Sequence, residues 1–160
     1  MTFEPMDSDY RERVSRAFDC QQFMHFIGAR LARIAAGECD IHLPFKPELT
    51  QQDGFFHAGI IATLADNAAG FAAFSLMAAE AAVLTVEFKL NLLAPGRGEK
   101  LIARGRVIKA GRTLTVCRSD VFNVNGGGEQ LCATALLTMM ALAPKEPRTA
   151  ECLYPSPLPP

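Results

Sequence analysis

Asp66 and His57 are the residues whose types and setting most suggest chemistry. Both lie in His57–Met77, HAGIIATLADNAAGFAAFSLM, a stretch that is otherwise largely apolar. Burying an unpaired carboxylate costs on the order of several kcal/mol. Asp66 is therefore either paired, as a structural carboxylate bonded to backbone donors or an arginine, or it is used. A used carboxylate on an apolar helix would have its pKa raised by desolvation, which suits a general base. His57 opens the stretch after a glycine-containing loop. It reads first as a packing or capping residue, and otherwise as part of a helix end whose free N–H groups suit an anion or a developing oxyanion. Asp66 follows nine residues later. At about 100° per residue the two fall on roughly opposite sides of one helix. One copy of the helix does not bring them together, and a second chain is one way to supply the missing side.

Other polar residues cluster around that stretch. Gln51 and Gln52 precede it in a loop, where an amide can orient a carbonyl or a water or simply face solvent. Thr85 and Glu87 follow it on one face of an alternating segment. Lys109 to Thr113, KAGRT, forms a basic hairpin tip, which is either a solvated turn or a clamp for a phosphorylated ligand. His25, His42 and His57 are not at metal-ligand spacing. Nucleophile-elbow, dinucleotide and P-loop patterns are absent.

Periodicity supplies the elements that must position these residues. Residues 7–19 carry Tyr10, Val14, Ala17 and Phe18 at helical spacing, with Asp7 or Ser8 as cap. The apolar QQFMHFIGA segment then docks this helix and ends at Gly28. Residues 29–36 and 38–45 read as two strands turning at Gly37, and residues 46–56 as a loop with a turn at Asp53-Gly54. After the long helix the period changes to two. Leu84, Val86, Phe88 and Leu90 alternate with Thr85, Glu87, Lys89 and Asn91. Strands over 99–109, 112–122 and 129–141 follow, joined by turns at Ala110-Gly111 and Asn125–Gly128. The order predicts an α+β domain over residues 1–143, an antiparallel sheet curled around the long helix. A Pro-rich tail spans 144–160, where six of the last 17 residues are proline.

The totals exclude several classes. The chain has 160 residues, 49% hydrophobic and 21% charged, with a net charge of −1. No global basic field recommends nucleic acid as a partner. Five widely spaced cysteines without a C-x-x-C pair argue against a disulfide framework and a zinc site. The polar, acidic start does not read as a signal peptide. The central stretch approaches the length of a membrane span, but Asp66, Asn67 and Ser75 interrupt it and no basic flank orients it. A cytoplasmic protein with no membrane partner is expected.

Thr50–Met77, TQQDGFFHAGIIATLADNAAGFAAFSLM, resembles the signature of hotdog-fold thioesterases of the PaaI-like group. That signature is a loop Asn or Gln, then His-Gly-Gly, then an acidic residue on a long helix. VLTVEFKLNLLAPGRGEKLIARGRVIKAGRTL fits too, with its Pro-Gly turn and Gly-Arg hairpin. The likeness covers roughly residues 20–142, and within the group it points to bacterial medium- and long-chain acyl-CoA thioesterases. It implies a hotdog fold, a homodimer with active sites at the interface, and often a dimer of dimers. It also implies acyl-CoA as substrate, with coenzyme A part of the substrate and neither cofactor nor metal required. Asp66 matches the catalytic acid, as general base or nucleophile. Gln51 matches the loop amide, and Thr85 an assisting strand hydroxyl. His57 and Ala58 match the helix end, with the Ala58 N–H as oxyanion donor. Gly59, Glu87, Lys109, Gly111, Arg112 and Thr113 are the candidates for holding substrate and its coenzyme A part. Phe55, Phe56, Phe71, Phe74 and Met77 are an expected apolar lining, suited to an aliphatic or an arylacetyl group. One departure stands out: His-Gly-Gly is His57-Ala58-Gly59 here. Alanine at that place is harmless if φ is helical, which is the expectation. A non-catalytic acyl-CoA-binding protein and a hotdog hydratase or dehydratase are the alternatives.

Overall fold

The structure, a computed structural model, describes residues 3–143. The Pro-rich tail expected over 144–160 lies outside the described residues. Three helices and six strands follow in the order α1 (Tyr10–Asp19), α2 (Gln22–Ile27), β1 (Arg30–Ala35), β2 (Glu38–Pro44), a 3-10 turn (Pro47–Leu49), α3 (Ala58–Phe74), β3 (Ala82–Leu92), β4 (Lys100–Ala110), β5 (Leu114–Asn125) and β6 (Gly128–Leu142). The strands form one antiparallel sheet, ordered β1-β2-β4-β5-β6-β3.

α1 begins three residues later than the sequence suggests. Asp7 does not cap it: its carboxylate accepts the Asp9 N–H (2.9 Å) in a turn ahead of the helix and pairs with Arg13 (2.7 Å). Tyr10, Val14 and Phe18, one turn apart, are buried as the spacing requires. Arg13 then reaches the far end of α3. It donates to the carbonyls of Phe74 (3.2 Å) and Met77 (2.8 Å) and stacks 4.2 Å from the centre of the Phe74 ring. A cation on the last carbonyls of a helix satisfies orphan acceptors and complements the dipole. The β1–β2 turn is tied to the same end, because the Gly37 N–H donates to Ser75 Oγ at 2.8 Å. Gly37 sits at φ +75°, where a side chain would be strained.

α3 lies across the concave face of the sheet. Leu64, Ala65, Ala68, Ala69 and Ala72 are fully buried. The small residues let the helix come down onto Gly105 of β4, where an added Cβ would overlap the Ala68 carbonyl. Opposite that contact, Gly59, Thr63, Asp66, Asn67 and Gly70 form a strip of the helix that is exposed or half-buried. The helix is thus apolar nearly all round yet covered on only part of its circumference.

β3 is the outer strand on one side of the sheet, and it departs from strict alternation. Thr85 pairs with Met139 and Glu87 with Thr138, leaving Val86 as a bulge. Met139 and Leu137 of β6 face the core, whereas Thr138 between them faces away. The bulge therefore separates residues the alternation put together. Thr85 points toward α3, and Glu87 points to the opposite face, where its Oε1 accepts from Thr138 at 3.3 Å.

Candidate active site

Two half-sites lie on α3. The first is its N-terminus. His57 is the N-cap, in extended conformation (φ −60°, ψ 138°), and its Nδ1 accepts the Gly59 N–H at 2.9 Å. A neutral ring that accepts at Nδ1 carries its proton on Nε2. The His57 carbonyl takes the N–H groups of Ile60 (2.9 Å) and Ile61 (3.3 Å). Of the four first-turn N–H groups, that of Ala58 alone finds no partner among the described residues. It is exposed and free to donate. Among the described residues none other than glycine has positive φ, so Ala58 holds the expected conformation and its methyl group costs nothing. Gly59 has its own reason: a Cβ there would lie 3.0 Å from His57 Nδ1, crowding the cap.

The second half-site is midway along the helix. The Thr85 hydroxyl donates to Asp66 Oδ1 at 2.7 Å and also contacts Met139 Sδ at 3.5 Å. Burial pushes the Asp66 carboxyl above the usual carboxylate range, while the Thr85 hydrogen bond pulls the other way. Among the described residues Asp66 has no cationic partner, which disfavours the arginine-paired structural reading. Beside it, the Asn67 amide donates to the Thr63 carbonyl at 3.2 Å, and its buried Oδ1 has no partner among the described residues.

Ala58 and Asp66 are eight residues apart, about 12 Å of helix axis at 1.5 Å per residue. A single chain does not join the two half-sites. Gln51 stays at neither: its Oε1 accepts the Asp53 N–H and its Nε2 approaches Asp53 Oδ2 at 3.4 Å, within its own loop. Lys109, Gly111, Arg112 and Thr113 are exposed at the β4–β5 tip. The tip lies at the Thr85 end of the sheet, because the Ala141 N–H donates to the Thr113 carbonyl (2.9 Å) and Ala141 pairs with Val83. Lys109 and Arg112 form no ion pair among the described residues. Glu87, on the opposite face from Thr85, is separated from Asp66. The expected lining is also revised. Phe56, Phe71, Phe74 and Met77 are buried in the core.

An open groove of about 420 Å³ runs instead beside the N-terminus of α3, reaching His57 and Gly59. Phe23 of α2 forms part of its wall. The apolar QQFMHFIGA segment docks on the core through Met24 and Ile27, while Phe23 and Phe26 are 53% and 81% exposed. The three-residue spacing of the two phenylalanines was the available signal for a second, outward face. Among the described residues no group of three or more His, Cys, Asp or Glu is placed to hold a metal, and no helix is long and apolar enough to cross a membrane.

Comparison with known proteins agrees with this geometry. The family model of the thioesterase superfamily matches residues 53–130. The crystal structure of a thioesterase family protein from Silicibacter pomeroyi is 46% identical and superposes with a TM-score of 0.83, covering 84% of this chain and 99% of that one. A Halobacterium salinarum protein, whose name marks esterase activity as unproven, is 32% identical over 108 residues, 64% of this chain and 71% of the relative. Human acyl-coenzyme A thioesterase 13 is 27% identical over 122 residues, 74% of this chain and 85% of the relative. The fold is an α+β hotdog, a long helix wrapped by an antiparallel sheet. The chain belongs to the thioesterase superfamily and is a thioester hydrolase.

Proposed function

We propose that the protein hydrolyses acyl-coenzyme A to the free acid and coenzyme A, with each active site shared between two subunits. The observation that carries this reading is the Asp66–Thr85 pair, a cation-free carboxylate on the open strip of α3 with its pKa raised by burial. The thioester oxygen sits on the Ala58 N–H of one subunit, and Asp66 of the other takes a proton from water. The water oxygen bonds to the carbonyl carbon, the negative charge forms on the oxygen held by Ala58, and the C–S bond then breaks. Sulfur leaves as the coenzyme A thiol after taking up a proton. Gln51 turns toward the water or substrate once the subunits meet.

Self-association is supported by the exposed edge. Leu84, Val86, Phe88 and Leu92 of β3 are each about half exposed on an outer strand whose far edge has no neighbour among the described residues, a surface that invites strand pairing. A homodimer, doubled to a dimer of dimers, fits this edge together with the 12 Å gap, at about 1.5 Å per residue, between the half-sites. Lys109 and Arg112, exposed and without an ion pair among the described residues, suit the phosphates of coenzyme A. Coenzyme A enters as part of the substrate, with no cofactor. A cytoplasmic setting rests on the sequence grounds given above. The printed name of the human relative, an acyl-coenzyme A thioesterase, favours the same substrate class.

Free-thiol release from a panel of acyl-CoAs tests the reading. Turnover of at least one by the parent protein, lost in Asp66→Ala, is expected. Equal rates in parent and variant would sink it, and tight acyl-CoA binding without thiol release would favour a binding protein instead.

A further inference from the structure

The groove beside the N-terminus of α3 is built from two kinds of surface. Phe23 from α2, Leu49 from the 3-10 turn and Ile60 from α3 are apolar. Glu48, Thr50, Thr63 and His57 are polar. The polar set is biased toward acceptors. The Thr63 hydroxyl donates to the Gly59 carbonyl at 2.9 Å and the Thr50 hydroxyl to the Pro47 carbonyl at 2.7 Å. A hydroxyl whose single proton is committed presents only lone pairs. An ionised glutamate likewise only accepts. Glu48 has no ion-pair partner among the described residues to cancel its charge. The groove therefore offers an apolar wall, three acceptor groups of which Glu48 carries a negative charge, and a single side-chain donor at His57 Nε2.

Its position identifies what enters it. The groove reaches His57 and Gly59, which flank the free N–H of Ala58. A thioester carbonyl held on that N–H carries its acyl group on one side and the coenzyme A sulfur on the other, and a groove with the carboxylate of Glu48 at its wall suits the acyl side rather than the arm that leads to the coenzyme A phosphates. We propose that this groove receives the acyl group, with Phe23 and Glu48 as specificity-determining residues that favour an apolar chain with an uncharged or hydrogen-bond-donating end and reject one ending in a carboxylate. The inference rests on the acyl-CoA reading above. Phe23 and Glu48 precede the segment matched by the family model, residues 53–130. Selection is thereby placed on a part of the chain separate from the catalytic strip.

Three substrates of one length separate the terms: hexanoyl-CoA, 6-hydroxyhexanoyl-CoA and adipoyl-CoA. They differ only in the end group. The parent is expected to turn over adipoyl-CoA at least tenfold less efficiently than hexanoyl-CoA in kcat/KM, with 6-hydroxyhexanoyl-CoA close to hexanoyl-CoA. In Glu48→Gln the adipoyl-to-hexanoyl ratio should rise about tenfold, the effect of a like-charge contact of about 1.4 kcal/mol. In Phe23→Ala the ratio of hexanoyl-CoA to acetyl-CoA should fall severalfold. Thermal melts confirm that both variants are folded. Ratios unmoved by either substitution, in a parent that does hydrolyse acyl-CoA, overturn the groove assignment and leave the thioesterase reading standing. A parent that releases thiol from none of these substrates or longer acyl-CoAs overturns both.

Discussion

Thr85 Oγ1 donates to Asp66 Oδ1 across 2.7 Å, joining the outer strand of the sheet to the middle of α3. The bond favours the ionised carboxylate, against the burial that disfavours it. Removing the hydroxyl therefore has a definite sign. In Thr85→Val the Asp66 pKa rises further, and the acid limb of the pH–rate profile moves to higher pH. Activity at neutral pH should fall by about tenfold, the scale of one hydrogen bond to a charged group. Thr85→Ser, which keeps the donor, should restore both the limb and the rate. A profile unmoved by Thr85→Val would mean that the hydroxyl does not touch the working carboxylate.

Asp66→Asn separates activity from stability. The amide keeps an acceptor for Thr85 but cannot take a proton from water, so activity should drop by about 10²–10⁴-fold, the worth of a general base. Stability should move in the opposite sense. The folded state raises the Asp66 pKa, so its carboxyl favours folding at pH below its unfolded value, and that contribution is lost as pH rises through the folded value. Asparagine carries no such dependence. Melting temperatures of variant and parent should diverge from acid toward neutral pH, with Asp66→Asn the more stable at the neutral end. A constant difference across the series would show that burial does not perturb this group.

The long helix, the strand order along the chain and the glycine turns were legible because each depends on local pattern. Gly28 and Gly37, for example, take the positive φ that their places as terminator and turn demand. The bulge at Val86 was not legible. VLTVEFKLN alternates without a break, and only the pairing with β6 shows one residue too many. That bulge sends Thr85 and Glu87 to opposite faces, so the two could not both be placed correctly by period. Phe56, Phe71 and Phe74 failed as a lining for a related reason. Apolar residues mark what avoids water, and nothing local distinguishes a core from a groove. Asp66 was legible because its cost stood out against its neighbours, whereas the groove is assembled from α2, the 3-10 turn and α3, and depends on how three segments pack.

Gly105 sets how closely α3 approaches the sheet. A Cβ at that position would overlap the Ala68 carbonyl, a backbone atom held by the helix and unable to swing aside. Gly105→Ala should lift the helix from β4 and cost about 1–3 kcal/mol, the usual range for overpacking a core. Urea denaturation should show a lower midpoint. The same displacement would stretch the Asp66–Thr85 bond, so activity should fall well before the protein unfolds. A variant as stable as the parent would mean that α3 has room to spare over β4.

Ala58→Pro deletes one hydrogen-bond donor and little else. Ala58 is the first residue of α3, a place where proline is well tolerated because its fixed φ suits the helix and no intrahelical N–H is lost. His57, at φ −60° and ψ 138°, already has the extended conformation that a following proline requires. The Ala58 N–H has no partner among the described residues, so the substitution breaks no bond of the folded chain. The melting temperature should hold within a few degrees. If that N–H carries the developing negative charge, kcat should drop by about 10²–10³-fold, the loss seen when one oxyanion donor is removed, while Ala58→Gly should stay close to the parent. A stable Ala58→Pro protein of undiminished kcat would show that the thioester oxygen is held elsewhere.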